Sequence, residues 1–177
     1  GKVVVLVGAV VNRDLHVTCL DRIDDAASLG KLAPVSALYP GRLQIIWHDL
    51  RAPINASTLH LTGEFDQIVH MAAGSHVDRS IKEPLGFLMD NCLGTAHVLE
   101  YAREHLAPHG KCLLFSTDEV VGAAPPGVQF TEQAPMNALN PYAAAKAAGE
   151  VLAPAWANTY GLPIVVTRCT NVVGPGQ

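Results

Sequence analysis

The sequence is short of charge and of aromatic side chains. Charged residues make up 16% of its 177 positions and aromatics 6%, with 12 Lys and Arg against 16 Asp and Glu. The formal net charge is −4, and no basic block interleaved with aromatics occurs, so nucleic acid is not an expected partner. No apolar run approaches the ~20 residues that cross a bilayer, so no membrane partner is expected either. The opening Lys2-Val-Val-Val-Leu-Val7 reads as a strand rather than a signal peptide. Cys19, Cys92, Cys112 and Cys169 show no CxxC spacing. They read as reduced, buried thiols of a cytoplasmic protein, three in strands and one in a helix. The Asn55-Ala-Ser57 glycosylation match then carries no weight. The eight histidines form no His-Glu-x-x-His or His/Cys cluster, so no metal is expected. His16, His48 and His70 sit at strand edges, where a packed or hydrogen-bonded imidazole is the simpler reading.

What the chain has is apolar residues, 49% of the total, in short runs separated by helical stretches. Val3–Val7, His16–Leu20, Leu43–Trp47, Gln67–His70, Lys111–Phe115 and Ile164–Arg168 read as strands. Near-continuous apolar runs fit a parallel sheet covered on both faces. Pro84 to about Leu106 reads as one long helix with proline in its first turn. Asn140 to Tyr160 reads as another, closed by Gly161 and Pro163, with Pro154 expected to kink it. The fold class is therefore α/β, a Rossmann-like doubly wound parallel sheet in one domain over residues 1–177.

Two short segments carry chemistry. Ser116-Thr117-Asp118-Glu119 follows a buried strand, at the sheet edge where ligands of open α/β folds bind. Asn140 and Pro141 read as an N-cap and first helical residue, which puts Tyr142 and Lys146 one turn apart on one face. A phenol titrates near 10, too high for a base at neutral pH, and a nearby ammonium would lower it. Alone, the Tyr/Lys pair reads more simply as a surface tyrosine beside a solvated lysine, and Asp118-Glu119 could be a loop dipeptide. Together they read as a site.

These residues, with His70-Met-Ala-Ala-Gly-Ser-His-Val-Asp-Arg-Ser80, Asn91-Cys-Leu-Gly-Thr95 and Asn171-Val-Val-Gly-Pro175, resemble the extended short-chain dehydrogenase/reductases that act on nucleotide sugars. The nearest resemblance within them is to the dTDP-glucose 4,6-dehydratase group, from about Val17 to Gln177. The resemblance implies NAD as cofactor and a nucleotide sugar as substrate. Asp21, Arg22, Ile23 and Asp24 would border the adenosine ribose, Asp49 and Leu50 the adenine, and Met71, Ala72 and Ala73 the dinucleotide. Lys146 would hold the nicotinamide ribose, and Ser75, Thr117 and Asn171 would contact substrate. An acid such as Asp21 at the end of the second strand also favours NAD over NADP on charge alone. Homodimerisation through the two long helices is implied as well.

Three departures qualify the resemblance. Only Gly8 stands where a glycine-rich turn should hold the pyrophosphate, and Gly8 and Asp21 are 13 positions apart where about 20 are usual. Roughly ten residues of a strand–turn–helix unit are expected to be missing. The second half of such enzymes, which builds the substrate domain, is expected to be absent. Asp90 stands where a cofactor-contacting threonine is usual, and Val121 and Val173 replace tyrosines.

By resemblance, Tyr142 takes a sugar hydroxyl proton as hydride passes to NAD. Glu119 then acts as base and Asp118 as acid in eliminating water. Other nucleotide-sugar epimerases or decarboxylases, and a catalytically silent remnant acting as a binding module, are the alternatives.

Overall fold

Six strands lie parallel in one sheet. The computed structural model describes residues 2–6 (backbone), 15–22, 37–55, 60 and 64–171. The strands are β1 (Lys2–Leu6), β2 (His16–Asp21), β3 (Leu43–Trp47), β4 (Phe65–His70), β5 (Leu106–Thr117) and β6 (Ile164–Cys169). Their order is β3-β2-β1-β4-β5-β6. Val4 pairs with Thr18 on one side and Ile68 on the other, and Leu114 with His70 and Val166. The order reverses between β1 and β4, so the crevice of this doubly wound sheet opens at the carboxyl ends of those strands.

All six expected strands are present, and β5 is longer than its apolar run because it begins at Leu106, directly after a helix. The stretch expected as one helix from Pro84 is three pieces. Helix α2 (Pro84–Leu88) leads through a π-helical turn (Met89–Leu93) into α3 (Gly94–His105). A short helix α1 (Val77–Lys82) precedes it and was not legible in the sequence, since six residues are too few to show an amphipathic repeat. Helix α4 (Pro141–Tyr160) has the expected ends. Asn140 Oδ1 accepts from Ala143 N at 2.8 Å, Pro141 opens the first turn, and Gly161 ends the helix at φ 69°. The helix runs unbroken through Pro154, which lies on its exposed side.

The core gathers Leu20, Ile68, Val98, Leu99, Cys112 and Leu114 between the sheet and α3 and α4. Cys19 and Cys112 are buried as expected. Cys92 and Cys169 are only half-buried, because one lies in the π turn and the other ends the edge strand β6. No disulfide joins cysteines among the described residues.

Gly149 sets the distance between α4 and the π turn. A Cβ there would lie 2.5 Å from the Asn91 carbonyl oxygen and 3.1 Å from Thr95 Oγ1. Mid-helix glycine costs about 1 kcal/mol against alanine, but at this contact alanine cannot be seated without moving backbone. Gly149→Ala should therefore destabilise the fold by about 1–3 kcal/mol in urea denaturation. An unchanged midpoint would mean that α4 does not pack this closely.

Candidate active site

Strand β5 ends in Thr117, which caps a 3-10 turn spanning Asp118–Val121. Its Oγ1 accepts from the Glu119 amide at 3.3 Å and donates to Asp118 Oδ1 at 3.2 Å. Thr117 is buried, Glu119 half-buried and Asp118 exposed. Across the gap, Asn140 Nδ2 donates to Glu119 Oε2 at 2.9 Å. Helix α4 then brings Tyr142 in, its phenol beside Thr117, which acts to lower its pKa, and its ring edge-on to Phe87. The Tyr142 amide donates to Ser80 Oγ at 3.1 Å, and Ser80 Oγ donates to the Val77 carbonyl at 2.6 Å. The unforeseen helix α1 thus fixes the start of α4. Thr117, Asp118, Glu119 and Tyr142 meet as the sequence suggested; the supporting roles of Ser80 and the Asn140 amide had no signal in it beyond an ordinary helix cap.

Lys146 corrects one expectation. Its Nζ donates to the Phe115 carbonyl at 2.5 Å, beneath the strand end. Burial lowers its pKa to about 8, partly offset by the charge of Glu150. Tyr142 is pushed up from its ordinary value by burial, pulled back by the Thr117 hydrogen bond, and pushed up again by Glu119 and Asp118. The lysine expected to lower the phenol is not among the groups that shift it here; its ammonium is turned to the Phe115 carbonyl.

His70 is fully packed, and burial together with the Lys146 charge pushes its pKa down to about 3. It is neutral at any physiological pH. Its Nε2 lies 3.0 Å from Thr95 Oγ1, whose own proton goes to the Asn91 carbonyl at 2.6 Å, so Nε2 carries the imidazole proton. His48 Nε2 donates to the Ala52 carbonyl at 3.2 Å, whereas His16 is exposed at the first position of β2 and is not packed.

The other predicted residues line the carboxyl edge on either side of the β1/β4 reversal. Asp21 ends β2, its Oδ1 taking the Arg22 amide at 2.7 Å. Asp49 follows β3 and takes the Arg51 amide at 2.9 Å, while His97 Nδ1 donates to the Leu50 carbonyl at 2.7 Å. Met71, Ala72 and Ala73 leave β4 into a loop that also carries the exposed Ser75. Asn171, exposed just beyond β6, also lies at a carboxyl end. Gly8, Ile23, Asp24 and Val173 lie outside the described residues.

Asp90 binds this edge together. Arg22 grips it with two bonds, of 2.6 and 2.9 Å, and Arg51 Nε adds a third at 2.7 Å. Burial would raise the Asp90 carboxyl, but the two guanidiniums hold it below its ordinary value. Asp90 stood out in the sequence as unusual, but the arginines, 68 and 39 positions away, carried no local sign.

With this geometry in hand, the relatives are informative. The family model described as GDP-mannose 4,6 dehydratase matches residues 5–177. The chain belongs to that family. It is 43% identical over 165 residues to a dTDP-glucose 4,6-dehydratase of Streptomyces niveus, covering 92% of this chain and 46% of that one. A dTDP-glucose 4,6-dehydratase of Mycolicibacterium smegmatis is 35% identical, covering 93% and 48%. A Streptomyces venezuelae dTDP-glucose 4,6-dehydratase crystallised with NAD superposes at TM-score 0.87 with 37% identity, covering all of this chain and 58% of that one. A Thermus thermophilus UDP-glucose 4-epimerase in complex with NAD superposes at 0.80 with 28% identity, covering 100% and 57%. The chain thus spans about half the length of the relatives it matches.

The described edge suits a dinucleotide. Asp21 and Asp49 stand at neighbouring strand ends, and the methyl side chains of Ala72 and Ala73 let a flat group approach the loop backbone. The Asp90 cluster spans the same edge, so its integrity should be measurable in stability. The folded Asp90 pKa is depressed, so its contribution is complete above the unfolded value of about 3.9 and fades as pH falls through the folded one. Asp90→Asn should cost about 1–3 kcal/mol at pH 7, with the gap to the parent closing below about pH 4. Denaturation series at both pH values check this; a gap that does not depend on pH would deny the ion cluster.

Proposed function

We propose that this chain carries the catalytic groups of an NAD-dependent dehydratase of nucleotide-diphosphate hexoses of the dTDP-glucose type, giving the 4-keto-6-deoxy sugar. The observation that carries this reading is the meeting of two carboxylates, Asp118 and Glu119, with Tyr142 and Thr117 at the end of β5. Removing water from C5 and C6 needs a base and an acid on neighbouring positions. An epimerase of the same superfamily needs neither carboxylate, and this is what sets the dehydratase reading above it.

Bound NAD would supply a hydride acceptor at C4 and return the hydride at C6. The chain's own groups do the rest. Tyr142 takes the proton of the 4-hydroxyl, and the Thr117 hydroxyl contacts the sugar near O4. Glu119 removes the C5 proton, which the 4-ketone has made acidic. Exposed Asp118 protonates the departing 6-hydroxyl. Lys146 holds the ribose on the nicotinamide side. Asp21, Arg22, Ile23 and Asp24 border the adenosine ribose, Asp49 and Leu50 the adenine, and Met71 to Ala73 the dinucleotide, with Gly8 at the pyrophosphate. Ser75 and Asn171 contact the sugar nucleotide.

The long helices support a homodimer, since Leu85, Leu88, Met89 and Leu93 are exposed along α2 and the π turn. No helix among the described residues is long and apolar enough to cross a membrane, and a cytoplasmic setting matches the reduced thiols.

Calorimetry should show binding of NAD⁺ in preference to NADP⁺, and dTDP-glucose should then yield the 4-keto-6-deoxy product. Glu119→Gln should lower turnover by roughly 10²–10⁴-fold while leaving NAD⁺ affinity unchanged. A folded protein that binds neither dinucleotide sinks the reading. In sedimentation, a monomer at all concentrations sinks the dimer.

A further inference from the structure

We infer that Asn140 is a positioning residue for Glu119, its side-chain amide both starting helix α4 and aiming the carboxylate. The inference rests on the dehydratase reading, in which Glu119 is the base.

The amide of Asn140 is used from both ends. Its oxygen caps the helix through the Ala143 amide at 2.8 Å, and its nitrogen donates to Glu119 Oε2 at 2.9 Å. Capping fixes the side chain's rotation, so the donor direction toward Glu119 is fixed as well. Serine or aspartate could perform the cap equally well but not both tasks. A serine hydroxyl is too short to span the gap once it faces the helix amides, and an aspartate has no proton to offer a carboxylate. Asparagine is the cap that also supplies a donor.

The arrangement has a consequence for the site. Glu119 is set by its own short turn at one end, through Thr117, and by the first residue of the tyrosine's helix at the other. The base and Tyr142 are therefore referenced to the same helix start. Two groups that must act in succession on neighbouring carbons keep their spacing if the sheet and helix shift as a unit. The charged groups around Glu119 are few. Asp118 lies beside it on the same turn, and from α4 the Tyr142 phenol registers both carboxylates. Lys146 directs its ammonium away, to the Phe115 carbonyl. The Asn140 amide is thus the donor that α4 presents to Glu119.

Two variants test this in the full protein. Asn140→Ser and Asn140→Asp both keep a good cap, so the midpoint of thermal unfolding should stay within a few degrees of the parent. With Asn140→Ser, kcat for dTDP-glucose should fall roughly tenfold with KM held, as for a lost charge-assisted bond to the base. With Asn140→Asp, the second carboxylate should move the acid limb of the kcat–pH profile upward by about one unit, because Glu119 must be ionised to accept the proton. An unmoved limb together with an undiminished kcat overturns the inference. Should the parent protein show no turnover, the dehydratase reading fails. Titration of the Glu119 carboxyl carbon by NMR then decides Asn140's hold on that residue. An upward shift in Asn140→Asp upholds the contact, and an identical midpoint in parent and variant overturns it.

Discussion

The side chain of Asn91 is the tie on which the site depends. It accepts from the Gly74 amide at 2.8 Å and donates to the Gly74 carbonyl at 3.0 Å, pinning the loop after β4 to the π turn. The π turn widens the helix at that point, and the Asn91 carbonyl takes the Thr95 hydroxyl instead. Thr95 in turn meets the buried imidazole of His70 at the end of β4. Gly149 lets α4 lie against the same carbonyl. One asparagine thus joins the strand, the loop that leaves it, and the helix that carries Tyr142 and Lys146. Breaking a buried polar network of this kind costs more than any one of its bonds, because each remaining group is left without a partner in a dry interior.

Burial and charge divide the edge into two regions with different logic. Around Thr117 the groups are held by single hydrogen bonds, and ionisable side chains are shifted mainly by desolvation. Lys146 near 8 and His70 near 3 both follow from taking a cation out of water. Around Asp90 the reverse holds, since two guanidiniums overcome the desolvation of one carboxylate. The first region keeps His70 neutral and loosens the proton of Lys146. The second fixes charges in place, across the ends of β2 and β3.

The sheet was legible because its evidence is local. Six apolar runs, turn residues between them, and Pro141 with Gly161 at the ends of a helix each say what they are within a few positions. The gathering of Thr117, Asp118, Glu119 and Tyr142 was legible because each sits at an element's end, and the ends of parallel strands share one edge. What escaped depends on partners far along the chain. The Arg22–Asp90–Arg51 cluster, Ser80 beneath Tyr142 and the commitment of Lys146 to the Phe115 carbonyl are decided by packing. The π turn escaped too, since a single widened turn leaves the apolar period of Pro84–His105 almost intact. The lysine shows the limit most plainly. Its spacing from Tyr142 was read correctly, but spacing on a helix face does not say which way a long flexible side chain turns.

The parallel order of the sheet also governs how the chain must assemble. Strand β1 lies in the interior of the sheet, yet its partner Gln67 on β4 is 64 positions beyond Val3. At synthesis rates of roughly 5–20 residues per second, β1 waits several seconds before that neighbour exists. Every other pairing in the sheet also crosses a connection rather than a tight hairpin, so nearly all loop-closure entropy is spent before contacts reward it. Nascent β1, an unbroken Lys2-Val-Val-Val-Leu6, then has only β2, 14 positions on, to pair with, and its other edge stays open. Its exposure while it waits, more than the marginal stability of the finished domain, is the point at which this fold is open to aggregation.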